Sequence, residues 1–139
     1  MDRTEPGVLF VCVRNSGKSQ LAAALMRHRA GTSVRVYSAG TEPGQELNPE
    51  SVASLAEWGI PVPGEHPKPI SPELLRTVDL IVVLGRAAVV EPKPGIPIRT
   101  WDTPEPSEHG IGGIARMRLI RDDIDARVRG LLDELRAQD

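Results

Sequence analysis

The stretch Gly7-Val8-Leu9-Phe10-Val11-Cys12-Val13-Arg14-Asn15-Ser16-Gly17-Lys18-Ser19 decides how the rest of the chain is read. Val8 to Val11 form a short apolar run of the kind that fits a parallel strand buried on both faces. From Ser19 to Ala30 the residues are mostly helix formers, with Leu21 and Leu25 stacked at i, i+4. The segment 12–18 is therefore a strand-to-helix turn. Its backbone amides and the positive end of the helix dipole converge on one point, where an anion is stabilised.

Two anions fit the spacing. Residues 12–19 match the phosphate-loop pattern G-x-x-x-x-G-K-[ST] except at its first position, where Cys12 replaces glycine. They also match Cys-x5-Arg-[Ser/Thr], in which a thiol attacks a tetrahedral oxyanion, except that Lys18 replaces the arginine. A nucleotide site needs a second apolar strand ending in an aspartate that holds magnesium. The obvious strand, Leu80 to Leu84, runs into Gly85-Arg86, and its aspartate, Asp79, precedes it. The helix N-terminus, Lys18 and Arg14 together favour a thiolate at Cys12. Most lone cysteines are small core hydrophobes, but this one is followed by Asn15, Ser16, Gly17, Lys18 and Ser19. A nucleophile is the better reading.

The whole chain sets the limits. At 139 residues, with 40% hydrophobic and 26% charged content, it reads as one globular domain, 1–139. No run is long enough to span a membrane, and Met1–Pro6 lacks the basic and apolar regions of a signal peptide. A single cysteine excludes a disulfide framework and suits a cytoplasmic location. The net charge of −2 argues against a nucleic-acid partner. His28, His66 and His109 show no metal-ligand spacing, so no metal site is expected.

Strand and helix alternate, which predicts an α/β fold. Strands are expected at 7–12, 33–38, 79–84 and about 97–101. Helices are expected at 18–30 and 48–58, the latter capped by Asn48 with Pro49 at its first position. A short helix opens at Ser71, and a long one spans about 113–136. Ile114, Met117, Ile120, Ile124, Val128, Leu131 and Leu135 fall on one stripe of that last helix and read as core.

The Cys12 loop resembles that of the low-molecular-weight protein tyrosine phosphatase superfamily, and more specifically its arsenate reductase branch. Further likenesses are Ser38-Ala39-Gly40-Thr41, the run from Pro69-Ile70 to Leu84, and Trp101 to Pro106. The resemblance implies a four-stranded parallel sheet in order 2-1-3-4 with helices on both faces, and the Cys12 loop at the switch point. It implies that Cys12 attacks arsenic while Val13, Arg14, Asn15, Ser16, Gly17 and Lys18 hold the oxyanion. Ser19 would donate to the sulfur, Asn15 would pin the loop, and Glu105 would act as the acid, with Asp102 as its rival.

Lys18, with a single cysteine, is most like the actinobacterial arsenate–mycothiol transferases. Relatives that relay a disulfide carry two more cysteines after the third strand; here that region is Leu84, Gly85 and Arg86. The implied partners are arsenate, mycothiol as co-substrate and a mycoredoxin or glutaredoxin-type protein, with no bound cofactor. Glutathione and bacillithiol are alternative thiols. Other readings are a small phosphatase, disfavoured by Lys18 and Ser107, a non-catalytic oxyanion-binding module and, last, a nucleotide enzyme.

Overall fold

A computed structural model describes residues 5–138; residues 1–4, part of the start searched for a targeting signal, and residue 139 lie outside that range. Strands β1 (Gly7–Cys12), β2 (Arg35–Gly40), β3 (Leu80–Leu84) and β4 (Ile98–Trp101) form one parallel sheet in the order β2-β1-β3-β4. The helices are α1 (Lys18–Ala30), α2 (Pro49–Ala56), α3 (Pro72–Thr77) and α4 (Gly113–Ala137). The fold is therefore the α/β arrangement with the strand order expected above.

β1 is central and every residue in it is buried, as its unbroken apolar run requires. Period-2 alternation sends Val8, Phe10 and Cys12 to one face and Leu9 and Val11 to the other. The first face carries the larger core, where α1 and α4 bring Leu21, Leu25, Ile120, Ile124 and Val128 against the sheet. Its ring pair, Phe10 and Trp101, lies 5.8 Å apart at 50°, a tilted contact across β1 and β4. The opposite face is covered more lightly, by Leu74 and Leu75 of α3 and by Val90 and Ile96.

Helix α1 is buried almost all round between Ser19 and Met26, so it is a core helix rather than an amphipathic surface one. The run Ala22-Ala23-Ala24 makes this possible, because small side chains let its neighbours approach closely. α4 presents the expected stripe, with Met117, Ile120, Ile124, Val128 and Leu131 buried and Ile114 and Leu135 half-buried. Among the described residues no helix is long and apolar enough to cross a membrane.

The limits of β2 and α2 differ most from expectation. β2 begins at Arg35 rather than residue 33, because Ser33 closes the turn after α1 through its amide bond to the Ala30 carbonyl. It also runs on to Gly40, which pairs in register with Cys12. α2 stops at Ala56 because Trp58 and Gly59 donate to Leu55 and Ala56 in a turn that ends at Gly59, φ 71°.

Ile124→Ala, at a fully buried position between α4 and the sheet, should cost about 3 kcal/mol of unfolding free energy. Urea titration checks this; a loss below about 1 kcal/mol would mean the α4 stripe does not carry the main core.

Candidate active site

The turn between β1 and α1 is built by directing its carbonyls outward. The carbonyls of Cys12, Val13, Arg14 and Ser16 accept from the amides of Thr41, Glu42, Gly44 and Asn48, at 3.2, 2.8, 2.9 and 2.9 Å. The Asn15 carbonyl accepts from the buried Gln20 amide nitrogen at 3.1 Å. Among the described residues the amides of Arg14, Ser16 and Gly17 have no protein acceptor. These donors rim the N-terminus of α1, where the helix dipole adds to them.

Asn15 holds the turn's shape. It is fully buried with φ 54°, a left-handed conformation that asparagine tolerates better than most residues. Its Oδ1 accepts from the Lys68 amide at 3.0 Å, and its Nδ2 donates to Ser19 Oγ at 2.7 Å. The backbone donor at Lys68 fixes which end of the amide faces Ser19. Ser19 Oγ therefore accepts on that side and its own proton is free to be given to Cys12 Sγ, 2.9 Å away, when the sulfur is ionised. The Asn15 amide also donates to the sulfur, at 3.2 Å. The Asn15 amide and the Ser19 hydroxyl thus converge on a cysteine that is only 9% exposed.

Gly40 lets the turn sit this close to β2. A Cβ there would lie 2.6 Å from the Val13 carbonyl oxygen and 3.0 Å from the Arg14 carbonyl carbon. The Gly40 amide is also tied to the Lys68 carbonyl at 2.8 Å, so one short segment braces both β2 and Asn15.

Lys18 and the 102–109 segment form the other wall. Lys18 Nζ donates to the buried Thr103 Oγ1 at 2.8 Å and lies 3.9 Å from Glu105 Oε1. Arg116 of α4 grips Glu105 at both oxygens, Nε to Oε2 at 2.7 Å and Nη2 to Oε1 at 2.8 Å. Ser107 Oγ adds a third donor at 2.8 Å. Asp102 is mostly exposed and pairs with Arg86 at 2.8 Å. The Arg14 side chain is exposed.

Comparison with known proteins identifies the family. The profile of the family described as low molecular weight phosphotyrosine protein phosphatase matches residues 7–139. The chain belongs to that family. Two relatives place it in the arsenate reductase branch. The arsenate reductase of Halalkalibacterium halodurans is 34% identical over 88% of this chain and 91% of its own. That of Bacillus licheniformis is 31% identical over the same shares. A solved structure of a thioredoxin-dependent arsenate reductase from Corynebacterium glutamicum is 32% identical and superposes with a TM-score of 0.82. It covers 99% of this phosphatase-family chain, which spans 64% of that protein.

Glu105, the residue expected to act as the acid, has its carboxyl held down at about 2, chiefly by Arg116 and helped by Ser107, against partial burial. In the unliganded chain it is therefore an ion-pair partner of α4, with Lys18 3.9 Å away. Four supporting residues escaped sequence reading: Gln20, Lys68, Thr103 and Arg116. Only Gly40 left a signal, the small residue at the end of β2, and its cause is the close approach of the turn.

Gly40→Ala should disorder the turn, costing about 2 kcal/mol through overpacking and exposing Cys12 to alkylation. Thermal unfolding and the alkylation rate report on this; an unchanged rate would mean that the contact is relieved without moving the turn.

The Glu105 ion pair also sets a pH window for stability. Its folded carboxyl lies below the unfolded value of 4.5, so its contribution is complete above 4.5 and is lost as pH falls towards about 2. Glu105→Gln should therefore be less stable than the parent at neutral pH, with the difference shrinking below 4.5. Equal gaps at neutral and strongly acid pH would contradict the assignment.

Proposed function

We propose that this protein is an arsenate reductase of the thiol-transferase kind, with Cys12 as the nucleophile. The observation that carries the reading is a sulfur that accepts from the Asn15 amide and lies 2.9 Å from Ser19 Oγ, in a turn with outward-bound carbonyls. The naming of the relatives as arsenate reductases supports the choice of oxyanion. The sequence holds no second cysteine, so reducing equivalents must come from another molecule.

Cys12 as thiolate attacks the pentavalent arsenic. An arsenic–sulfur bond forms, an arsenic–oxygen bond breaks, and the oxygen leaves as water after protonation by solvent or by the acid form of arsenate. The free amides of Arg14, Ser16 and Gly17 receive the remaining oxygens with Val13 and Lys18 beside them; each aimed donor typically lowers such a barrier by about 3 kcal/mol. Ser19 stabilises the thiolate and Asn15 keeps the turn in register. Mycothiol then displaces Cys12 from arsenic without change of oxidation state. A mycoredoxin or glutaredoxin-type dithiol finally supplies two electrons, which releases arsenite. Thioredoxin, named in the Corynebacterium relative, is the competing reductant. A free nucleophilic thiol suits the reducing cytoplasm.

Lys18 argues for this chemistry over phosphoryl transfer. Arginine offers a planar two-point fork to the equatorial oxygens, whereas lysine offers one point charge. Here that charge already rests on the Thr103 hydroxyl.

Arsenate consumption by the pure protein tests the reading, with mycothiol plus mycoredoxin in one arm and thioredoxin in the other. Turnover is expected in the mycothiol arm, and Cys12→Ser should lower it by at least a hundredfold. Turnover with thioredoxin alone would replace the thiol step. No arsenate consumption in either arm, with aryl phosphate hydrolysed instead, would favour the phosphatase. Lys18→Arg should raise aryl phosphate hydrolysis, because two parallel donors would then meet the transferring group. If oxyanion binding stays intact and hydrolysis does not rise, Lys18 is not the determinant.

A further inference from the structure

The cation of the Cys12 turn is close to a carboxylate that could neutralise it. Lys18 Nζ sits 3.9 Å from Glu105 Oε1, yet its hydrogen bond goes to a neutral group, Thr103 Oγ1 at 2.8 Å. The reason lies on α4. Arg116 occupies the same Oε1 at 2.8 Å and the other oxygen, Oε2, at 2.7 Å. A guanidinium fork matches a carboxylate at two points, so it outcompetes a single ammonium for that partner.

We propose that Arg116 is a positioning residue that keeps Lys18 available to the bound oxyanion by holding Glu105 away from it. Without Arg116, Glu105 would have one cation in reach, Lys18, and a small rotation would close the 3.9 Å gap. The ammonium would then be shared between an internal carboxylate and the incoming anion, and the anion would bind less well. Arg116 acts only through Glu105 and is not assigned a contact with substrate. The proposal gives α4 a part in oxyanion binding that its buried stripe does not suggest. It rests on the Cys12 turn being an oxyanion site, but not on arsenate being reduced there.

The charged groups around Glu105 come from several elements. Lys18 approaches from α1 and Arg116 from α4. The charge of Glu50 in α2 also favours the protonated Arg116. Glu108 and His109 line the same groove beside Glu105. Acidification alone therefore changes more than one group, and a second-site variant is needed to isolate Glu105.

Sulfate is a suitable probe, since it is a tetrahedral dianion with constant charge across the working range. Its binding can be followed by the amide NMR signals of Ser16 and Gly17 in the wild type, Arg116→Gln, and the double variant Arg116→Gln with Glu105→Gln. Arg116→Gln should weaken sulfate binding roughly fivefold at neutral pH, the scale of a freed ion pair. The double variant should return to within about twofold of the wild type, because the competing carboxylate is gone. Relative to the wild type, Arg116→Gln should also regain affinity as pH falls through the ordinary glutamate value of 4.5. Wild-type affinity in the single variant would overturn the proposal. So would a double variant as weak as the single one, since the pair would then act by supporting the fold. Failure of arsenate turnover would sink the functional reading while leaving this binding result to stand by itself.

Discussion

The hydrogen bonds from the 41–48 segment to the carbonyls of the Cys12 turn fix everything that the site can do. A strand-to-helix turn can face either its amides or its carbonyls towards the helix axis, and only one choice gathers anions. Here Thr41, Glu42, Gly44 and Asn48 take the carbonyls of Cys12, Val13, Arg14 and Ser16 from outside. Gln20 takes that of Asn15. Each buried carbonyl thus has a partner, and leaving even one unpaired would cost about 1–3 kcal/mol. The amides face inward because the carbonyls are already bound elsewhere. The left-handed Asn15 is the local strain that this arrangement requires, and its four polar contacts hold it there.

The sheet supplies the platform for that constraint. β1 carries Cys12 at its carboxyl end, in register with Gly40 of β2. The chain passes from β1 to β2 on one side and then returns across β1 to β3 on the other, so the Cys12 turn lies at the switch point of the sheet. Placing α1 deep in the core then immobilises its first turn. Ser19, fully buried one residue into that helix, has little freedom to leave the sulfur. Packing therefore becomes preorganisation: the donors are held in place before any ligand arrives.

Much of this was legible in the sequence, for identifiable reasons. The limits of β1 and α1 follow from an apolar run meeting a stretch of helix formers. The strand order came from resemblance, and the sheet agrees with it. The α4 stripe is readable because period 3.6 survives over 25 residues. What escaped was of another kind. Lys68 braces Asn15 through a backbone amide, which has no sequence signature. Thr103 and Arg116 meet Lys18 and Glu105 only after three separate elements have packed together. The ion pairing of Glu105 escaped for the same reason, since the resemblance of the Trp101 to Pro106 stretch points to a carboxylate but says nothing of the guanidinium that closes on it.

That ion pair bears on the chemistry. A phosphatase must hand a proton to an alkoxide leaving group, so a carboxyl held at about 2 by Arg116 is poorly suited to that step. Displacing water from arsenate by a thiol makes no such demand, because the leaving oxygen can carry protons that arsenate itself brings. The same two substitutions that look like losses for phosphoryl transfer, Lys18 for arginine and an ion-paired Glu105 for a free acid, are consistent with each other. Both weaken devices that would stabilise an ester-cleaving transition state and leave intact the turn of inward amides beside the Cys12 sulfur. That combination is the ground on which sulfur–oxyanion condensation is proposed here in preference to hydrolysis.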